Sequence, residues 1–194
     1  TCRVIDRPMR PLFPKDYRND LTLESLVLSV DPECRPELTA MLGSAIATSI
    51  SDSPFDGPCA TTQVGMINNH LIFNPSAAQL AVSDLNLTVA STKYKVIMIE
   101  AGANQVPEDK MLEAIFEAHK VNQKVIEFID KIVEECGKPK FEYKSYAVPE
   151  ELFEDIKTVI PPEVMEEAVF TDDKQTREKN IDAFKDQLKE RYAD

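Results

Sequence analysis

At 194 residues, with 43% hydrophobic and 29% charged side chains, the chain is long enough to bury a sizeable core and has an ordinary globular composition. No apolar run approaches the roughly 18 to 20 residues that cross a bilayer, and the start carries no signal-peptide-like apolar stretch, so no membrane role is expected and the location read from the sequence is cytoplasmic. Cys2, Cys34, Cys59 and Cys136 lack the spacing of a metal site or disulfide framework, which fits reduced thiols, and a net charge of −12 weighs against nucleic-acid binding by the molecule as a whole.

The first fifteen residues place Arg3, Arg7 and Arg10 at spacings of four and three, which a helix of 3.6 residues per turn brings onto one face. Arginine's planar fork holds two phosphate oxygens at once and stays charged at any working pH, so the triplet suits an RNA backbone. It equally suits ion pairs with Asp6, Asp16, Asp20 or carboxylates elsewhere. Pro8 lacks the N–H that a helix interior uses, and predicts a kink. Residues 21–30, with Leu and Val recurring, read as a β-rich run; Asp31-Pro32 reads as a turn, and residues 36–51 as a helix built on small side chains with Ile46 and Ile50. The stretch 52–58 is a loop dense in Pro, Asp and Gly. Strands are expected at 62–67, 70–74, 85–90 and 94–100, with Asn68-Asn69 turning the first hairpin.

Residues 107–136 form the longest periodic stretch. Met111, Leu112, Ile115, Ala118, Val121, Val125, Phe128, Ile129, Ile132 and Val133 make its apolar stripe, and Pro107 and Gly137 punctuate its ends. His119 inside it has no visible partner that would activate a nucleophile, and reads as an ordinary helical side chain. Residues 138–148, rich in Lys, Tyr and Pro, look like a linker. Three charged amphipathic helices follow at 149–160, 162–169 and 172–191. Strands and helices intermingle up to the linker, so the fold class is α/β or α+β, followed by a small all-α domain, with domains at 1–138 and 139–194.

Charge is unevenly shared along this layout. Residues 1–106 hold 8 basic and 11 acidic side chains against 14 and 23 in residues 107–194, so most of the excess acid lies in the helical back half. The first twenty residues hold 5 basic and 3 acidic side chains. Because salt confines fields to about 8 to 10 Å, a local basic strip can act on an acidic protein.

The run Cys2-Arg3-Val4-Ile5-Asp6-Arg7-Pro8-Met9-Arg10-Pro11-Leu12-Phe13-Pro14, followed by Tyr17-Arg18-Asn19-Asp20, resembles the first RNase PH-like domain of the bacterial polynucleotide phosphorylase family. So, in the same order, do Val27-Leu28-Ser29-Val30-Asp31-Pro32, Pro54-Phe55-Asp56-Gly57-Pro58, Val64-Gly65-Met66-Ile67-Asn68, Leu71-Ile72-Phe73-Asn74-Pro75 and Glu135-Cys136-Gly137-Lys138-Pro139. The resemblance covers nearly the whole chain and is most specific up to Pro139. It implies an RNase PH-like fold of the ribosomal protein S5 domain 2 type, and a chain truncated at both ends relative to the family. The implied activity is 3′→5′ phosphorolytic degradation of RNA: inorganic phosphate attacks the terminal phosphodiester and nucleoside diphosphate leaves, with Mg²⁺ or Mn²⁺ assisting. Implied partners are single-stranded RNA, phosphate, a homotrimer and an RNA-degradation complex.

In the family the working set belongs to the second RNase PH-like domain. Here the serines of its phosphate-holding turn correspond to positions in Pro36-Glu37-Leu38-Thr39-Ala40-Met41-Leu42-Gly43, where Glu37 would repel phosphate. Its metal-binding Gly-Asp-Met-Asp-Phe strand corresponds to Ser83-Asp84-Leu85-Asn86-Leu87, and the acidic residues upstream to Ala77, Ala78 and Gln79. One carboxylate is too few for a dedicated Mg²⁺ site, and Asp84 reads as a strand-end acceptor. The resemblance therefore implies no catalytic and no metal residue in this chain, with the metal bound outside it. Arg3 and Arg7 match arginines of the active repeat, and Arg3, Arg7 and Arg10 are the candidate RNA-binding residues. The family's Phe-Phe-Arg-Arg channel loop falls ahead of Thr1. The alternatives are a catalytically silent scaffold of an exosome-like ring and a small-molecule kinase of the S5-like fold. The second needs a Gly-rich phosphate loop, which five unclustered glycines do not supply.

Overall fold

The structure, a computed structural model, describes residues 2–31 and 33–193, so Pro32 of the expected turn lies outside the described residues. The chain divides into two compact units, Thr1–Ser145 and Tyr146–Asp194.

In the first unit α1 (Cys2–Met9) passes directly into a 3₁₀ turn (Arg10–Leu12). Pro8 in its last turn removes a donor, and the helix tightens and stops rather than kinking. The second helix, α2 (Pro36–Ile50), begins with proline at its first turn and ends in Ser51. The strands are β1 (Cys59–Ile67), β2 (His70–Phe73), β3 (Leu85–Thr92) and β4 (Val96–Ala103), with the short α3 (Ala77–Ala81) between β2 and β3. They form one antiparallel sheet in the order β2-β1-β3-β4. Asn68 and Asn69 turn β1 into β2 with φ of 50° and 63°, the left-handed pair that a two-residue hairpin requires and that asparagine tolerates.

The long helix α4 (Glu108–Cys136) lies against β1 and β3, and α2 packs on both α4 and β1. One core cluster joins Val64, Met66, Leu85, Leu87 and Val89 of the sheet to Ala114 and Ala118 of α4; another gathers Met9, Met41, Ala45, Phe55, Cys59 and Ile129. Between helix and sheet, Asn122 is fully buried. Its amide donates to the Val89 carbonyl at 3.1 Å and to Ser91 Oγ at 2.9 Å, and its oxygen accepts from Thr62 Oγ1 at 2.7 Å. Leu112 and Phe128, expected in the apolar stripe, are more than half exposed. The face that meets the sheet is Ala114, Ala118, Asn122, Ile126 and Ile129, whose small and polar members permit close approach. The Gly57 backbone passes so near the Phe55 ring that a Cβ would lie 2.1 Å from a ring carbon.

Residues 21–30 form no strand. Leu26 and Leu28 are 84% and 87% exposed, because the run finds no neighbouring strand among the described residues and β propensity is realised only against one. It instead flanks α2, with Ser25 Oγ 3.4 Å from Ser44 Oγ. Residues 138–145, expected as linker, pack onto the first unit. The Lys138 N–H donates to the Ile50 carbonyl at 2.9 Å and the Phe141 N–H to the Asp52 carbonyl at 2.8 Å. Lys140 Nζ donates to the carbonyls of Thr48, Ser49 and Ser51 at 3.3, 2.9 and 2.7 Å, capping the end of α2. The Tyr143 hydroxyl and Ser145 Oγ both donate to Asp16. The first compact unit runs on to Ser145.

The second unit contains α5 (Glu150–Val159), α6 (Pro162–Val169) and α7 (Lys174–Arg191). Asp173 caps α7 by accepting the Thr176 N–H at 2.7 Å, and Asp155 of α5 accepts from the Tyr192 hydroxyl and Arg191. Only Ile160 and Ala168 are buried hydrophobics there among the described residues.

Candidate nucleic-acid interface

α1 is amphipathic for a simple reason. Ile5 and Met9 pack into the cluster with Met41, Ala45 and Phe55, and Pro8 is buried beside them, so the opposite side faces outward, and Arg3, Asp6, Arg7 and Arg10 are all exposed. Arg10 forks onto Asp6 one turn earlier, with Nη2 2.7 Å from both carboxylate oxygens and Nε 3.0 Å from one. Arg7 Nη1 stands 3.6 Å from Glu100 Oε2 on β4, with both side chains about half exposed. Arg3 meets no carboxylate among the described residues. Exposed pairs of this kind contribute little and are screened by salt, so a phosphate oxygen can take the place of either carboxylate. Asp16, which the sequence offers as a partner for the triplet, is engaged by Tyr143 and Ser145; their hydroxyls, Ser145 first, hold its carboxyl below the usual range.

A second place collects three of the positions that the family resemblance marks as altered, Glu37, Ala77 and Asn86. The start of α2, α3 and the start of β3 surround a hollow of about 540 Å³, lined among others by Arg35, Glu37, Ala77 and Asn86. Its polar groups are tied to one another. Arg35 donates to Glu37 Oε1 and to Gln63 Oε1, each at 3.3 Å, and Gln63 Nε2 donates to Asn86 Oδ1 at 2.7 Å. The carboxyl of Glu37 is held below the usual range by its own backbone N–H and then by Arg35, and its Oε2 is buried without a partner. One anionic carboxylate clamped by a guanidinium, with an amide oxygen already bonded, does not fit a divalent cation that wants several free oxygens. A phosphate entering here meets Arg35 but also Glu37. Sequence reasoning missed Arg35, because the arginine acquires its setting only when residue 63 of β1 and residue 86 of β3 come beside it. Among the described residues Asp84 bonds through its backbone: its N–H donates to the Met66 carbonyl and its carbonyl accepts from the Asn104 N–H. His119 is partly buried against the Gln123 amide, at 3.2 Å, an ordinary helix-face contact.

Residues 57–121 match the profile of the 3′ exoribonuclease family, domain 2. The whole chain is 71% identical to part of the polyribonucleotide nucleotidyltransferase of Lachnoclostridium phytofermentans, spanning 28% of that protein. It is 46% identical over 97% of its length to the enzyme of the same name from Caldicellulosiruptor saccharolyticus, covering 27% of it, and 42% identical over its full length to that of Staphylococcus epidermidis, covering 28%. A solved structure of rice Rrp46 overlies 54% of this chain and 51% of its own, at 11% identity and a TM-score of 0.48. The chain therefore spans somewhat more than a quarter of the length of the curated relatives it matches, and over that span it is similar to part of the polyribonucleotide nucleotidyltransferases, with a 3′ exoribonuclease family domain 2 matched at residues 57–121.

Proposed function

We propose that this chain is the RNA-guiding, non-catalytic part of a 3′→5′ phosphorolytic exoribonuclease. In that activity an oxygen of inorganic phosphate attacks the phosphorus of the terminal phosphodiester, the bond to the preceding 3′ oxygen breaks, and that oxygen takes up a proton as nucleoside diphosphate leaves. The kinship supports the activity. The observation that carries the division of labour is the contrast between two places in the first unit. The outward face of α1 offers exposed guanidiniums in weak pairs, whereas the hollow at the start of α2 is closed in on itself by the Arg35, Glu37, Gln63 and Asn86 contacts. A divalent metal, Mg²⁺ or Mn²⁺, would neutralise charge at the reacting phosphate from residues outside this chain. Homotrimeric assembly, partners in RNA degradation and a cytoplasmic location complete the proposal; no helix among the described residues is long and apolar enough to cross a membrane.

The Arg10–Asp6 and Arg7–Glu100 pairs favour one other role, a ring scaffold whose arginines are spent on ion pairs and subunit contacts. Salt titration of RNA binding separates the two, since each neutralised phosphate on a single strand adds roughly 0.7 to the log–log slope. The activity itself is tested by phosphate-dependent release of nucleoside diphosphates from poly(A), run on the whole protein and on the 194-residue chain in parallel. Release by the whole protein alone is the expected result. Release by the 194-residue chain would overturn the non-catalytic assignment.

A further inference from the structure

The hairpin joining β3 to β4 carries a motif that the arginine face does not explain. Its turn, Thr92-Lys93-Tyr94-Lys95, is closed by the Thr92 N–H donating to the Lys95 carbonyl at 2.8 Å, and by Thr92 Oγ1 accepting the N–H groups of Tyr94 at 3.4 Å and Lys95 at 3.2 Å. This fixes the loop while leaving its three longest side chains in solvent. Tyr94 is 81% exposed, and Lys93 and Lys95 are exposed without an ion pair among the described residues. An aromatic ring held out between two unpaired cations has no packing role to account for it. Single-stranded nucleic acid meets both halves of the motif, a base stacking on the ring while flanking phosphates meet the ammonium groups.

Position strengthens the case. Arg7 reaches β4 at Glu100, and Leu12, just past Arg10, lines the same hollow of about 460 Å³ as Lys93, Tyr94, Lys95 and Ile97. The arginine helix and its 3₁₀ turn therefore run beside β4 toward the hairpin tip, over roughly 16 Å at about 3.3 Å per strand residue. The strip also holds acidic groups. Glu100 and Asp6 lie beside the arginines, and Asp56 and Asp130 line the hollow itself. Those two carboxylates disfavour a phosphate within the hollow.

We propose that the Lys93-Tyr94-Lys95 tip is a second contact for single-stranded RNA, with Tyr94 stacking on a base and the two lysines holding its neighbouring phosphates. It rests on the RNA-guiding role assigned above and extends that path from α1 to the hairpin. The test is binding of a labelled oligoadenylate to the whole protein by fluorescence anisotropy across a salt series. Tyr94→Ala weakens binding by about fivefold or more, whereas Tyr94→Phe, which keeps the ring, stays within about twofold. The double variant Lys93→Ala/Lys95→Ala lowers the log–log salt slope by about 1.4, two phosphates' worth. Affinity within twofold for both the Tyr94→Ala and the double-lysine variants, with an unchanged slope, overturns the proposal. Arg7→Ala measured alongside keeps the two assignments apart. Loss in Arg7→Ala alone leaves the arginine path standing and removes the hairpin; loss only in the hairpin variants does the reverse.

Discussion

Asn122 ties α4 to the sheet of the first unit. It sits fully buried where α4 meets the sheet and satisfies groups on both β1 and β3, so it fixes how the helix lies across them. Asn122→Ala leaves the Thr62 hydroxyl and the Ser91 hydroxyl without their partner and opens a void. A loss of about 2 to 4 kcal/mol in urea unfolding is expected. Gly57 is the second such position, for a steric reason. A methyl there collides with the buried Phe55 ring, and Gly57→Ala should cost about 1 to 3 kcal/mol, read in the same way. Asp16 ties residues 143–145 to the body of the first unit, and its carboxyl lies below the usual range because Ser145 and Tyr143 donate to it. A depressed folded value means that the stabilisation is present above the ordinary aspartate value, near 4, and is lost as pH falls through the lower folded value. The chain has 5 tyrosines and no tryptophan, so tyrosine fluorescence can follow this release. An acid transition in tyrosine fluorescence is expected for the wild type, and Asp16→Asn should lose the part of it that comes from Tyr143 while keeping the part from Tyr192 on Asp155.

Elements were legible in the sequence to the extent that their own residues decide them. Asn68-Asn69 announces a hairpin because few other residues accept two successive left-handed conformations, and α2 and α4 follow from their prolines and apolar spacing. The failures are of a different kind. Residues 21–30 have strand-forming side chains, yet a strand exists only against a neighbour, which no single stretch can report. The apolar stripe expected for α4 includes Ala118 and Ile129, which are buried, but also Leu112 and Phe128, whereas close packing on the sheet adds Ala114, Asn122 and Ile126 in their stead. Residues 138–145 look like linker by composition; only the folded chain puts the Thr48, Ser49 and Ser51 carbonyls within reach of the Lys140 ammonium. Lys140→Met keeps much of the stem and removes the cap. It should lower the melting temperature by a few degrees, corresponding to roughly 1 kcal/mol, and increase protease cleavage around residues 138–145. The candidate site divides in the same way. The arginine face of α1 is visible from spacing alone, whereas the Arg35 cluster needs contacts across α2, β1 and β3.

Across the whole molecule, the net charge of −12 and the proposed RNA path are compatible because the charge is distributed unevenly. Screening limits each charge to its own surroundings at physiological salt, and α1 with the 3₁₀ turn after it presents three exposed arginines. In the proposed division of labour this chain guides RNA and leaves the chemistry to residues outside it. Steady-state phosphorolysis of poly(A) by the whole protein carrying Arg7→Ala tests it most directly, with KM measured separately for RNA and for phosphate. The expected result is an RNA KM raised about five- to tenfold, with the phosphate KM and kcat unchanged. A raised phosphate KM with RNA affinity unchanged would contradict the account and place Arg7 at the reacting phosphate.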